Sequence, residues 1–386
     1  MKLTLEKNIL LDVLQKVQSI VALRTTLPIL SNVLLEAYNG KLKLTTTDLE
    51  VSLQTSIDVE IIEEGSTTLP ARRFFSICRD LPSHQIEFSI EDEKEEIIIK
   101  SGSFEGKLGG LPKSDFPEIP EFKNDFSYTL NQSILKSLLQ KTSYAASNDE
   151  SRPILNGSLM SFKNDKLTVV CTDGRRLALA EQDIEIDESS DIDVVIPSKT
   201  VNELIKSLGN TSKNTLEDNK SGITNNVEME KSDEDVNIRM STSQIAFEFG
   251  NILIMSKLID GIYPNYQQVI PKQCEERLVV DREILFDAVR RVSLMLNDQA
   301  AAVTLEIKEN KIDLLTSSID VGNASESIPV KYNGKEVNIA FNPGYLTAPL
   351  KHLDSDEIYF EFSDENSPGL IKSNIPFLYV IMPMRI

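Results

Sequence analysis

Apolar residues recur at helical spacing in three separate stretches of the chain, and strand-like alternation follows each one. The stripes are Ile9, Val13, Leu14 and Val17, then Ile134, Leu138, Leu139 and Thr142, then Ile284, Ala288, Val289 and Val292. Each reads as the buried side of an amphipathic helix. Period-two or wholly apolar runs, such as 42–44 (LKL), 194–196 (VVI) and 358–362 (IYFEF), read as strands separated by turn residues at 38–40 (YNG) and 163–165 (KND).

The pattern is a repeat. LEKNIL at 5–10 aligns with LNQSIL at 130–135 and VDREIL at 280–285; GKLKLTTTD at 40–48 aligns with DKLTVVCTD at 165–173 and NKIDLLTSS at 310–318. Second helices start after LPA at 69–71, IPS at 196–198 and FNP at 341–343. One folding unit copied three times predicts three similar domains, 1–122, 126–272 and 275–386, joined at the polar, proline-bearing stretches 118–126 and 270–276. Each is expected to be α+β, an antiparallel sheet system with two helices on one face. After Leu81 and Leu353 the next strand follows within a few residues, but after Leu208 it waits until about Val236. The intervening segment 209–236 is rich in Asn, Ser, Lys, Glu and Asp and reads as a mobile surface insertion, too poor in apolar side chains to order itself.

A length of 386 residues suits three domains rather than one core. Cys78, Cys171 and Cys274 fall one per domain, form no disulfide framework and have no second cysteine at metal-ligand spacing, so they read as buried thiols. His84 and His352, the only histidines, read as surface residues, which leaves a Ser/His/Asp triad or a His-rich metal centre poorly supplied. The glycines at 102, 106, 109 and 110 lack phosphate-loop spacing, and the recurring Asp48 and Asp173 read as turn caps. Catalysis, cofactors and metals are therefore not expected. No apolar run reaches membrane length and the N-terminus lacks a signal-peptide pattern, so the expected setting is cytoplasmic, with no membrane partner.

The formal charge of −20 argues against a polyanionic partner until the charges are located. The six helix regions together carry +6, leaving −26 for the rest. The helix position after each apolar stripe is basic and read as exposed: Lys16, Lys141 and Arg291, with Arg290 beside the last. The second helices add Arg72 and Arg73, or Lys199, near N-termini that themselves favour phosphate. A basic helix face on an acidic body suits a polyanion held through phosphates without base readout.

At this point the chain resembles the beta subunits of bacterial DNA polymerase III, the sliding clamps. The resemblance runs from end to end apart from 209–236, through RTTLPILSN at 24–32, TTDLE at 46–50, PARRFFSICRDLP at 70–82, LNG at 155–157, TDGRRL at 172–177, SKLIDGIYP at 256–264 and MPMRI at 382–386. It implies three clamp domains per chain and a head-to-tail homodimer closing a ring around double-stranded DNA, with contacts between domain one and the Leu294/Met295 region. It also implies phosphate contacts by Arg24, Arg72, Arg73, Arg152, Lys199, Asn342 and Tyr345. A partner-peptide pocket would be built from Leu155, Thr172, Gly174, Arg175, Arg176, Leu177, Pro264, Val269, Val380, Met382, Pro383, Met384 and Arg385. Arg175 stands where the family commonly has His, and Gln268 where it commonly has Arg. Implied partners are the replicative polymerase alpha subunit, the clamp loader, and other polymerases and repair proteins carrying short linear motifs. The competing reading is an acidic three-domain adaptor that binds peptides without encircling DNA.

Overall fold

The computed structural model describes residues 1–21, 25–91, 96–119, 122, 126–185, 191–209, 234–297, 302–318 and 321–385. Arg24 and the 210–233 portion of the expected insertion lie outside these residues. The same element order occurs three times, with one additional strand, β5, in the first set. The first set is β1 (Lys2–Glu6), α1 (Lys7–Val17), β2 (Asn32–Tyr38), β3 (Lys41–Thr47), β4 (Val51–Asp58), β5 (Glu60–Glu63), β6 (Gly65–Pro70), α2 (Ala71–Asp80), β7 (Gln85–Glu91), β8 (Glu96–Ser101) and β9 (Phe104–Gly109). The second is β10 (Phe126–Asn131), α3 (Gln132–Thr142), β11 (Gly157–Lys163), β12 (Lys166–Thr172), β13 (Arg176–Asp183), β14 (Ile192–Pro197), α4 (Ser198–Ser207), β15 (Asp235–Met240), β16 (Gln244–Phe249) and β17 (Ile252–Lys257). The third is β18 (Glu276–Asp281), α5 (Arg282–Ser293), β19 (Val303–Lys308), β20 (Lys311–Ser318), β21 (Gly322–Pro329), β22 (Val337–Phe341), α6 (Pro343–His352), β23 (Glu357–Phe362), β24 (Gly369–Lys372) and β25 (Phe377–Ile381). Since β15 begins at Asp235, the insertion ends slightly earlier than the sequence suggested.

The sheets do not close within single repeats, which departs from the expectation of one sheet system per domain. Strand β4 pairs with β17, placing Leu53 opposite Ile254, and β13 pairs with β25, placing Leu179 opposite Leu378. Two eight-stranded antiparallel sheets result, in the orders β10-β15-β16-β17-β4-β3-β2-β6 and β14-β11-β12-β13-β25-β24-β23-β18. Sharing sheets satisfies backbone groups that edge strands would otherwise leave unpaired. Smaller sheets β5-β1-β7-β8-β9 and β21-β20-β19-β22 complete the set. The described chain falls into two compact units, residues 1–133 with 202–258 and residues 134–201 with 259–386.

The helix stripes are displaced by one residue from the sequence reading at their N-terminal ends. Leu10, Leu135 and Leu285 are buried, whereas Ile9 and Ile134 are half-buried and Ile284 is 41% exposed. Leu10, Val13, Leu14 and Val17 satisfy the i, i+3, i+4, i+7 spacing in full, which a stripe begun at Ile9 does not. Strand hydroxyls finish two of these helices: Thr46 Oγ1 donates to Val17 O at 2.9 Å and Thr316 Oγ1 to Val292 O at 3.1 Å. Cys171 occupies the equivalent repeat position, its Sγ 2.9 Å from Ser158 Oγ, and burial pushes its pKa up to about 11. Cys78 is also buried, but Cys274 is only half-buried, contrary to expectation. His84 is exposed. His352 is not a free surface residue: its ring stacks on Tyr144 with centroids 5.0 Å apart, and desolvation lowers its pKa. Among the described residues no helix is long and apolar enough to cross a membrane.

Candidate functional site

The segment between β12 and β13 is a tight turn built by its own side chains. Asp173 Oδ1 accepts the Arg175 and Arg176 amides at 2.9 and 3.0 Å, and Thr172 Oγ1 accepts the Gly174 amide at 3.1 Å while donating to Arg176 O at 2.6 Å. Gly174 takes φ +87°, a left-handed conformation that glycine adopts without strain. The recurring aspartates are thus turn caps, Asp48 accepting the Glu50 and Val51 amides in the same way. Arg176 bonds Asp173 Oδ2 through Nε at 3.0 Å, with both side chains about 15% exposed, and lies 4.5 Å from the Tyr345 ring centroid. Tyr345 in turn accepts Tyr379 Oη–H at its carbonyl, 2.8 Å.

The tail is pinned across this turn. The Met382 amide donates to Arg175 O at 3.0 Å, and the Met384 amide to Ala340 O at 2.8 Å. Beneath lies an apolar cluster of Leu159, Val170, Leu177, Val195, Leu370 and Val380. Of the sequence-assigned pocket residues, Leu177 and Val380 form this floor and Leu155 is buried at the end of a short helix, Pro153–Leu155. Pro264 and Val269 lie exposed on the 258–270 segment, whose Ile259, Tyr263, Tyr266 and Ile270 pack against the cluster. Val269 is 50% and Met382 41% exposed, Pro383 and Met384 are half-buried, and Arg175 and Arg385 are exposed. The result is a solvent-facing apolar lip of adaptable thioethers beside two cations, suited to apolar side chains from more than one partner. Sequence reasoning missed Ile154, Ile259, Tyr263 and Leu370, which complete the cluster. Tyr263 was visible within SKLIDGIYP, but Leu370 reaches the floor only because β24 pairs with β25.

The basic residues divide sharply. Arg72 and Arg73 are exposed in the first turn of α2, which has no side-chain N-cap, and Lys199 is exposed in the first turn of α4. Asn342 caps α6 by accepting the Tyr345 amide at 3.1 Å. Arg152 is exposed but bonded to Asp149, 2.9 Å. The first-helix cations depart from the expected open track. The Lys16 side chain is 15% exposed and bonds Asp12 at 2.7 Å, Lys141 is half-buried, and Arg291 Nε bonds Glu326 Oε2 at 3.0 Å. An i, i+4 acid on α1 and a strand acid beside α5 absorb charges that the sequence pattern left apparently free. Leu294 is 75% and Met295 38% exposed just beyond α5. Among the described residues no cluster of His, Cys, Asp and Glu could hold a metal ion.

Comparison with known proteins agrees over the whole chain. Models of the DNA polymerase III beta subunit match its N-terminal domain at residues 1–120, central domain at 129–265 and C-terminal domain at 267–385. A beta sliding clamp of Chlamydia muridarum is 35% identical over 100% of this chain and 99% of its own. Sliding clamp structures from Bartonella birtlesii and Pseudomonas aeruginosa, 35% and 32% identical, each superpose with a TM-score of 0.90 over 100% of both chains. The chain therefore belongs to the DNA polymerase III beta subunit family, the sliding clamps, which serve as non-catalytic processivity factors in DNA replication.

Proposed function

We propose that two copies of this chain close head to tail into a ring around double-stranded DNA, each copy comprising domains 1–122, 126–272 and 275–386. The observation that carries this is the junction rule of the fold. The last strand of the second repeat, β17, pairs with the first repeat's β4, and the last strand of the third, β25, pairs with the second repeat's β13. By the same rule β9 of one copy seeks β21 of another, and both are edge strands here. Carrying over the register places Ala324 opposite Gly106 and Glu326 opposite Phe104 of the second copy. The exposed Leu294 and Met295 sit near this edge, because Arg291, one turn earlier, bonds Glu326 on β21. A heterologous contact of this kind closes when the rotation permits.

A closed ring needs only weak, screened phosphate contacts, which Arg24, Arg72, Arg73, Arg152, Lys199, Asn342 and Tyr345 supply, and is free to slide. Bound partners then stay at high effective concentration on the template. The pocket under the Met382–Arg385 tail takes short linear segments with a Gln and one or two Leu or Phe anchors. The replicative polymerase alpha subunit, the clamp loader, and other polymerases and repair proteins of the cytoplasm would compete for it. Sedimentation tests the closure: a ring of two copies should run at about twice the 43.2 kDa chain mass, and Leu294→Asp should halve it. A wild-type monomer at micromolar concentration would refute it.

A further inference from the structure

The turn that frames the tail pocket has a duplicate in the first repeat, alike in the bonds that its Thr and Asp side chains make to turn amides and carbonyls. Thr47 Oγ1 donates to Val51 O at 3.1 Å and accepts the Leu49 amide at 3.1 Å. Asp48 Oδ1 accepts the next two amides at 3.0 and 2.8 Å, and the Lys257 amide donates to Glu50 O at 2.9 Å, as the Met382 amide does to Arg175 O. Even the left-handed residue is kept, at φ +78° for Leu49 against +87° for Gly174. A leucine held there, 44% exposed, is an apolar side chain presented in a conformation that L residues disfavour.

This frame also carries a groove. Pro117, Glu118 and Ile119, which follow the buried Phe116 as Pro264 follows Tyr263, enclose a volume of about 270 Å³ with Leu49 and Met255. They also wall an adjacent groove of about 590 Å³ across β2, β3 and β4, within the size range of ligand sites. Thr45, fully buried in that second groove's lining, has a hydroxyl without a hydrogen-bond partner. The charges differ from those of the tail pocket. Glu50 replaces Arg175, and Glu118 adds a second exposed carboxylate, so that with Lys257 the lining carries a net charge of −1; neither carboxylate forms an ion pair among the described residues.

We propose that this groove is a second peptide-docking site, taking an extended partner segment in which a basic residue adjoins an apolar anchor. The anchor packs on Leu49, Met255 and Ile119, while Glu50 and Glu118 receive the cation. Its assignment to peptides rests on reading the tail pocket as a peptide site. The two sites differ in sign, so a chain with two oppositely charged motifs would occupy both without competition.

The test titrates two synthetic probes, acetyl-Lys-Leu-Lys-Leu-Phe-amide and acetyl-Asp-Leu-Asp-Leu-Phe-amide, into the full chain by calorimetry. The variants are Leu49→Asn with Glu50→Arg, Glu118→Lys alone, and a chain lacking residues 382–386. Asparagine accepts the left-handed conformation, and Glu118 lies on a separate segment, so a folding defect in one variant leaves the other informative. The basic peptide should lose about tenfold or more in affinity with either groove change and nothing on truncation. The acidic peptide should behave in the opposite way. A basic peptide that fails to bind the wild type, is lost on truncation, or ignores both groove changes overturns the proposal. Failure of the acidic peptide alone counts instead against the tail pocket.

Discussion

Asp173 and Asp48 occupy the same place in the repeat, and removing the carboxylate of Asp173 should cost more than its turn bonds alone account for. Each accepts two turn amides at 2.8–3.0 Å, and the turns are open to water, so about 1 kcal/mol per bond is the reasonable loss. Asp173 also holds Arg176 through Nε, with the pair about 15% exposed, whereas Val51 stands at the Arg176 position in the first repeat. Leaving a desolvated guanidinium unpaired adds about 2 kcal/mol, below the full buried-pair range because some water reaches it. Asp173→Ala should therefore destabilise by about 4 kcal/mol, read from urea midpoints at constant slope. The loosened turn also releases Arg175 O from the Met382 amide, so Asp173→Ala should weaken peptide binding at the tail pocket at least about tenfold by calorimetry. A loss of only about 2 kcal/mol, the turn bonds alone, or unchanged peptide affinity in Asp173→Ala, would refute this explanation of how the lip is held.

Further outcomes follow from single residues. Leu49→Asn should raise the melting temperature, since relieving a left-handed leucine returns about 1 kcal/mol; a fall would mean that the side chain packs more than its 44% exposure indicates. Burial holds the His352 pKa below its ordinary value, so on acidification the unfolded chain takes up its proton first. The stability due to neutral His352 is complete above about pH 6.5 and is lost as pH falls toward the lowered value. His352→Phe should flatten that part of the profile, and identical slopes between pH 5 and 7 would contradict it. Cys78, pushed up to about 12, and Cys171, to about 11, should resist a thiol reagent at pH 8, while half-buried Cys274 reacts first.

The fold was legible where the repeat wrote it three times. Helix starts, the Asp48 and Asp173 turn caps and the equivalence of the three units follow from local spacing, which a single sequence carries. Sheet sharing did not, because the pairing of β4 with β17 joins residues about two hundred positions apart and neither strand's alternation names its partner. The helix stripe was placed a residue early because Ile9 and Leu10 are equally apolar, and only packing selects Leu10. At the site, the tail and the Thr172–Arg176 turn were visible as motifs, whereas Leu370 and Ile154 are brought in by tertiary pairing alone. The charge pattern misled in a physical way. Lys16 and Arg291 are basic at the expected helix positions, yet Asp12 and Glu326 hold them. The case for a phosphate-contacting face therefore shifts to the first turns of the second helices, at Arg72, Arg73 and Lys199.

The most direct test of encirclement is retention on closed circular DNA compared with the same DNA linearised, after loading and gel filtration. A topological hold predicts retention on the circle, rapid loss from the cut molecule through its free ends, and restored retention when those ends are blocked by a bulky protein. Equal retention on circular and linear DNA would contradict a topological hold.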